Sequence, residues 1–397
     1  MASWLSMRKK ICFVTAAEIT VKAFLVEHLK VLSNYYDLSI VTNTNNDSFL
    51  KHYGLNVNVI HVAIERKISP LRDITTFIHL FFLFKKRRFD VIHSITPKSG
   101  LLSMLAACCA SAPVRIHIFT GQVWATRTGI YRWGLKFADK VISFCATHIL
   151  VDSNSQKDFL VKEKVISELK SCVIANGSVC GVNTQRFSFD QAARKGLREK
   201  YLIDENDIVF LYLGRLNVDK GLFDLAQAFA KVCEVNASAR LVIVGPDEEN
   251  MKEKIQEYCE TYSDRLIFED YTNAPEKYMA MADIFCLPSY REGFGMTIIE
   301  AGSVGIPSIG TKIYGIIDAI DENVTGFIYM PRNIEDLRNK MLKMMDEPSI
   351  RLEMGRCARE RAIRLFSKDY VVGAFLNFYQ SLPGMSAING DNGEKTL

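Results

Sequence analysis

Short apolar runs of four to six residues alternate with longer segments in which apolar residues recur every three or four positions. A continuous apolar run between polar flanks fits a strand buried on both faces, and the three-to-four spacing fits a helix with one buried side. In the first half this pattern predicts strands at Ile11–Thr15, Leu38–Thr42, Val57–Val62, Val91–Ser94, Arg115–Phe119, His148–Val151 and Cys172–Ile174, with helices over 20–34, 71–87 and 99–110. A second series begins after Asn183-Thr184-Gln185-Arg186-Phe187, with strands at Ile208–Leu213, Arg240–Val244, Arg265–Phe268, Asp283–Leu287 and Pro307–Ile309. Strands that alternate with helices predict parallel sheets covered by helices, hence an α/β protein of two Rossmann-like, doubly wound domains. The expected division is 1–182 and 183–369, with a hinge near 180–190. A helix at 370–382 is expected to cross back onto the first domain. Residues 383–397, rich in Gly, Asn, Ser and charge, are expected to be disordered.

A chain of 397 residues is too long for one compact core, which agrees with two domains. Its 48% hydrophobic and 24% charged residues are globular values, and a net charge of +4 without a Lys/Arg stripe argues against a nucleic-acid partner. Ten scattered cysteines without a Cys-x-x-Cys pair indicate neither a zinc site nor a disulfide framework, and point to reduced thiols in a cytosol. Arg8-Lys9-Lys10 before Ile11-Cys12-Phe13-Val14 superficially resembles an export signal. The apolar stretch ends by Glu18, too early for one, and reads as a first strand after a dispensable leader at 1–6. No run approaches the length of a membrane span, the nearest being Ile74 to Phe84, interrupted by His79 and closed by Lys85-Lys86-Arg87-Arg88.

Parallel sheets bind ligands beyond the carboxyl ends of their strands. Three polar, glycine-rich segments fall there: Gly214-Arg215-Leu216, Gly245-Pro246-Asp247 and Pro288-Ser289-Tyr290-Arg291-Glu292. The third continues through Gly293-Phe294-Gly295 into an apolar helix, with Glu292 and Glu300 separated by seven residues. Glycines admit a ligand close to the backbone, and the first N–H groups of a helix attract an anion. Glu300, about one turn in, could hold the hydroxyls of a ribose. The alternative is an ordinary strand-to-helix turn with a surface acid on each side. Arg215 and Lys220 flank the start of another helix, where cations oppose the dipole; an anionic ligand explains them better than local stability, although a solvated surface is the plainer reading.

Taken together, Gly214-Arg215-Leu216 with Lys220-Gly221, the Pro288–Gly295 segment and the Glu-x7-Glu spacing resemble retaining glycosyltransferases of family 4, which have the GT-B fold. The resemblance covers roughly residues 8 to 382. It implies that Arg215 and Lys220 neutralise the diphosphate of a nucleotide-sugar donor. It also implies that the N–H groups of Phe294, Gly295 and Met296 bind that diphosphate, that Glu300 holds the ribose, and that Glu292 lies beside the transferred sugar. No cofactor is implied. The chain has no Asp-x-Asp, the usual metal-clamp signature, which favours a metal-free site. Retention in this family is usually attributed to front-face attack, with the leaving phosphate taking the acceptor proton, so Glu292 is not assigned as a nucleophile.

The first half departs from the family pattern. Ala16-Ala17-Glu18 stands where many relatives carry Gly-Gly, and Thr120-Gly121-Gln122 where many carry His-Gly. Thr120 cannot act as a general base near neutral pH. His117, three residues earlier, reads as a core histidine. Lys98, in Thr96-Pro97-Lys98-Ser99-Gly100 at a helix start, is available for an acceptor phosphate. Thr96–Gly100 followed by Thr120–Trp124 resembles the branch that assembles surface polysaccharides on a polyprenyl diphosphate carrier. That branch implies a lipid-linked glycan acceptor and favours a UDP-sugar donor carrying an N-acetylhexosamine, with a GDP-sugar as the alternative. A lipid acceptor would give the 74–88 stretch a place on the cytoplasmic membrane surface; a core helix with a solvated basic cap is the alternative. Rival functions are a nucleotide-sugar epimerase of the same fold and a non-enzymatic two-domain sugar-binding protein.

Overall fold

The computed structural model describes residues 8–65 and 69–385. The first sheet has seven parallel strands: β1 (Lys10–Val14), β2 (Asp37–Thr42), β3 (Asn58–His61), β4 (Val91–Ile95), β5 (Val114–Phe119), β6 (His148–Val151) and β7 (Ser171–Val173), in the order β3-β2-β1-β4-β5-β6-β7. Alternation along each strand sends one residue set to each face. Ile11, Phe13, Leu38 and Ile40 pack on one side, Cys12, Val14, Val41 and Ile92 on the other. Both faces are buried, which is why these strands read as unbroken apolar runs. The second sheet has six: β8 (Ile208–Leu213), β9 (Ala239–Val244), β10 (Leu266–Glu269), β11 (Ile284–Leu287), β12 (Ser308–Thr311) and β13 (Gly326–Tyr329), in the order β10-β9-β8-β11-β12-β13. In each sheet the winding reverses once, between β1 and β4 and between β8 and β11. The loops leaving those strands therefore diverge and leave a crevice between them.

The chain passes between the two units twice. Ala175 and Ser178 have φ of 52° and 73°, and Gly177 one of 105°, where the first unit ends. Val182 then forms a parallel bridge with Ser367, its N–H donating to Phe366 O at 2.8 Å while Lys368 N–H returns a bond to Val182 O. From that crossing the helix Lys368–Ser381 enters the first unit, burying Phe375 and Tyr379 against Phe13 and His93.

Three expectations need correction. The 20–34 helix is two, Glu18–Phe24 and Val26–Leu32, kinked at Leu25, although the ladder continues through Leu25 N–H to Val21 O and Leu29 N–H to Leu25 O. Strand β13, which opens on Gly326, was absent from the expected set. Disorder does not begin at Pro383, because Met385 is buried and its carbonyl accepts from the Tyr36 hydroxyl at 3.0 Å. The rest of the expected tail, 386–397, and the expected leader at 1–6 lie outside the described residues.

Candidate functional site

The crevice of the second sheet is lined by the loops after β8 and β11, and close packing sets their positions. Gly221 has φ 65°, and a Cβ there would lie 2.0 Å from Pro288 O, so only glycine lets the β8 loop meet the β11 loop. That contact brings Lys220 to Glu292, Nζ to Oε1 at 2.5 Å, and the Ser289 hydroxyl donates to the same oxygen at 2.8 Å. Arg291 donates to Asp219 Oδ2 at 3.0 and 3.3 Å from the neighbouring turn. Arg215 lies on the outer side, more than half exposed, donating to both Glu248 oxygens at 3.1 and 3.2 Å. The two cations of the expected clamp stand apart, each held by a carboxylate.

The β11 loop ends at Gly295, whose φ of 72° turns the chain into the helix Met296–Val304. No side chain caps that helix, and the N–H groups of Phe294, Gly295 and Met296 have no partner among the described residues. They are the orphan donors of a helix start, with the positive end of the dipole behind them. Glu300 lies further along the same helix, with no ion pair among the described residues. Burial pushes its carboxyl up to about 7, with Arg186 pulling down and Glu276 pushing up.

Across the cleft, the loop after β5 meets this segment directly. A Cβ on Gly293 would sit 2.3 Å from Asp152 Oδ2 and 2.8 Å from the Thr120 carbonyl carbon, and one on Gly121 would sit 3.2 Å from Gly293 N. Gln122 is buried, its N–H donating to the Tyr314 hydroxyl at 3.4 Å and its Oε1 accepting from Gln156 at 3.2 Å. Ser155 adds two further links, donating to the Asp318 carboxylate and accepting from Gly315 N–H at 2.8 Å. Thr120, Gly121 and Gln122 therefore share one seam with Glu292 and Gly293. Lys98 stands apart on the next helix, paired with Asp73 at 2.7 Å. His117 is wholly buried, bonded to the Ser94 hydroxyl at 2.8 Å, and burial lowers its pKa to about 3, as fits a core residue.

Sequence reasoning missed Asp152. Its carboxyl is buried at the seam, one oxygen has no partner among the described residues, and burial raises its pKa well above the usual range. It directly precedes Ser153, which caps the following helix by accepting from Gln156 N–H, and nothing in Val151-Asp152-Ser153-Asn154 marks the acid as one that meets the other unit. Asp219 and Glu248 were also unforeseen, since acids next to expected phosphate ligands carry no local signal.

Known proteins place this geometry. Residues 10–144 match the family model described as glycosyl transferase 4-like, and residues 193–361 match glycosyl transferases group 1. The capsular polysaccharide biosynthesis glycosyltransferase CapM of Staphylococcus aureus is 28% identical over 338 residues, covering 84% of this chain and 87% of that one. The UDP-Gal:α-D-GlcNAc-diphosphoundecaprenol α-1,3-galactosyltransferase of Escherichia coli is 29% identical over 303 residues, covering 74% of this chain and 76% of that one. Among solved structures, HepE of Anabaena in complex with UDP and glucose superposes with a TM-score of 0.79 at 16% identity, covering 94% of this chain and 100% of that one. Two sheets with facing crevices, matched half by half, mean that the chain belongs to the glycosyltransferases of the GT-B fold, with a family-4-like first half and a group 1 second half.

Proposed function

We propose that the protein is a retaining, metal-independent glycosyltransferase that moves a sugar, with an N-acetylhexosamine favoured, from a UDP-sugar to a polyprenyl-diphosphate-linked glycan. The observation that carries this reading is the Lys220–Glu292 pair beside the unpaired N–H groups of Phe294, Gly295 and Met296, facing Thr120 across the seam. Charge develops on the departing diphosphate as the C1–oxygen bond of the donor breaks. A site that already holds cations and N–H dipoles stabilises that charge without reorganising. Lys220 exchanges Glu292 for phosphate oxygens, Arg215 exchanges Glu248, and Glu300 accepts from the ribose hydroxyls. Glu292, released, lies beside the sugar. The acceptor oxygen forms its bond to C1 on the face the diphosphate leaves, and its proton passes to the leaving phosphate, which leaves Thr120 with no basic role. Lys98, Thr120, Gly121 and Gln122 hold the acceptor, and no cofactor takes part.

The relatives support the substrate class. The E. coli protein is named for a UDP-sugar and a diphosphoundecaprenol acceptor, and a Campylobacter jejuni relative, 24% identical, for transfer of N-acetylgalactosamine to a diphospho-undecaprenol sugar. Such an acceptor brings the enzyme to the cytoplasmic membrane surface as a peripheral protein, with the 74–88 stretch in contact; no described helix is long and apolar enough to cross a membrane. The test is a panel of nucleotide sugars with a short-chain polyprenyl diphosphate sugar, run with and without acceptor and with and without a chelator. Transfer from a UDP-sugar, dependent on acceptor and indifferent to chelator, is expected. Epimerised free nucleotide sugar without acceptor would identify an epimerase instead, and loss of transfer with chelator would refute metal independence.

A further inference from the structure

Three helices cover one face of the first sheet: Pro70–Arg87, Pro97–Cys109 and Gly129–Cys145, the middle one packed between the other two. Each buries one stripe in the core beneath, through Leu80 and Phe84, Met104 and Ala107, and Ile142 and Cys145. An ordinary surface helix would then be polar on its outer side. Gly129–Cys145 is not. Ile130, Trp133, Phe137 and Phe144 are 87, 67, 54 and 80% exposed and follow helical spacing along one line, with Trp133 and Phe137 stacked at 5.5 Å. Pro70–Arg87 repeats the feature with exposed Leu71, Ile74, Ile78 and Phe82, and Leu101 and Leu105 of the middle helix lie half-buried between the two stripes. Scattered exposed apolar residues are normal, but eight large ones in two aligned stripes mark a docking surface.

Charge selects the occupant. The three helices carry eight Lys or Arg against two acids, Asp73 and Asp139; four of the eight are already paired, Arg72 with Glu65, Lys98 with Asp73, and Arg132 and Lys136 with Glu163, which leaves Lys85, Lys86, Arg87 and Lys140 to meet an anion. Neither acid is free to repel an anion: Asp73 pairs with Lys98, and Asp139 is buried, accepting from Trp124 Nε1 at 2.7 Å. Lys85, Lys86, Arg87 and Arg88 are exposed at one end, and Lys140 lies within the second stripe. Apolar and aromatic stripes among long cationic side chains suit the headgroup and acyl boundary of an anionic bilayer, where lysine and arginine stems lie along the apolar surface and their heads reach phosphate.

The geometry points to a membrane-docking surface built from both outer helices, in which Gly129–Cys145 contributes as much as the 74–88 stretch. In a parallel sheet every covering helix starts at the carboxyl edge of the strands, so Pro70, Pro97 and Gly129 lie at the cleft edge, with Ile130 eight residues after Gln122. A lipid-linked acceptor held at the cleft therefore has its tail beside the bilayer face. Such a surface has a purpose only if the acceptor is lipid-linked, so the assignment rests on the proposed function, yet bilayer binding is measurable without turnover.

The test is co-sedimentation of the full chain with phosphatidylcholine vesicles containing about one-third phosphatidylglycerol, against phosphatidylcholine alone. Trp133→Ser/Phe137→Ser is compared with the parent, with turnover on a short, water-soluble acceptor confirming that the variant folds. Binding to anionic vesicles that weakens at high salt, and at least about tenfold in the variant, is the expected result. Lys85→Gln/Lys86→Gln should weaken it by a smaller factor. Absence of binding, binding unchanged in the aromatic variant, or a concentration-dependent dimer that the same variant abolishes would overturn the membrane assignment. Turnover on the soluble acceptor without vesicle binding would refute the surface alone, and vesicle binding without turnover on any donor would support the surface and refute the enzyme.

Discussion

The loops at the carboxyl ends of the two sheets have the same topology and opposite chemistry. Beyond β8 and β11 stand three cations, Arg215, Lys220 and Arg291, each held by a carboxylate, Glu248, Glu292 or Asp219. Beyond β5 and β6 stand Thr120, Gly121 and Gln122 with the buried carboxyl of Asp152, whose Oδ1 has no partner among the described residues. Charge gathered on one lip and hydrogen-bonding neutrality on the other is what a reaction with an anionic leaving group and a neutral attacking hydroxyl asks for. The carboxylates also matter without ligand. Unpaired cations crowded at one crevice would repel one another, and the carboxylates neutralise them.

The contrast can be broken from its charged side first. Lys220→Ala and Glu300→Ala are each expected to cut turnover at least about 100-fold in a steady-state transfer assay, on the scale of losing a preorganised electrostatic donor. Near-normal activity in both would remove the donor site from this lip. The seam comes next. A methyl at Gly293 would press on Asp152 and on the Thr120 backbone, and Gly293→Ala should lower kcat about 100-fold and lower the melting temperature too, with the circular dichroism spectrum still that of a folded α/β chain, because misplacing reacting groups by an ångström costs that much. Arg215→Ala should act mainly through the donor KM, raising it about tenfold, since its side chain is exposed and loses one charge-assisted contact. An Arg215 effect as large as that of Lys220 would erase the distinction between inner and outer cation.

The smallest effect belongs to the first unit. His28, His93 and His117 are wholly buried, and burial lowers their pKa from 6.5 to about 4, about 3 and about 3. They stay neutral when folded while the unfolded chain takes up protons below about 6.5. Their contribution to stability is therefore intact above that pH and is lost as pH falls toward 4 to 3. Each changes the folding equilibrium at most about tenfold per pH unit. Asp139, Asp152 and Glu300, whose carboxyls burial raises, act in the opposite direction over the same range, so the histidine effect is read as a difference. In denaturant titrations between pH 7 and 5 the parent should lose more stability, or gain less, than His93→Phe, and parallel profiles would contradict the burial of that ring.

Both sheets were legible because strands buried on two faces are written as apolar runs between polar turns, and twelve of the thirteen strands among the described residues stood out this way. The Lys220, Glu292 and Glu300 segments were legible because each is compressed into one loop. The neutral lip was harder to read. Asp152, Gln122 and Tyr314 come from separate places in the chain and meet only through tertiary packing, and a buried acid beside a helix cap has no spacing of its own. The exposed stripe of Gly129–Cys145 was hidden for another reason: its pattern is that of any amphipathic helix, and only the fold tells which side faces out.

The proposed reaction is front-face transfer from the charged donor lip to an acceptor held on the opposite lip. The anomeric configuration of the product tests it most directly. With an α-linked UDP-sugar and a short-chain polyprenyl diphosphate sugar, NMR of the purified product should show an α linkage. A β linkage would contradict the account, because inversion needs a base behind the acceptor hydroxyl, and Thr120 cannot supply one.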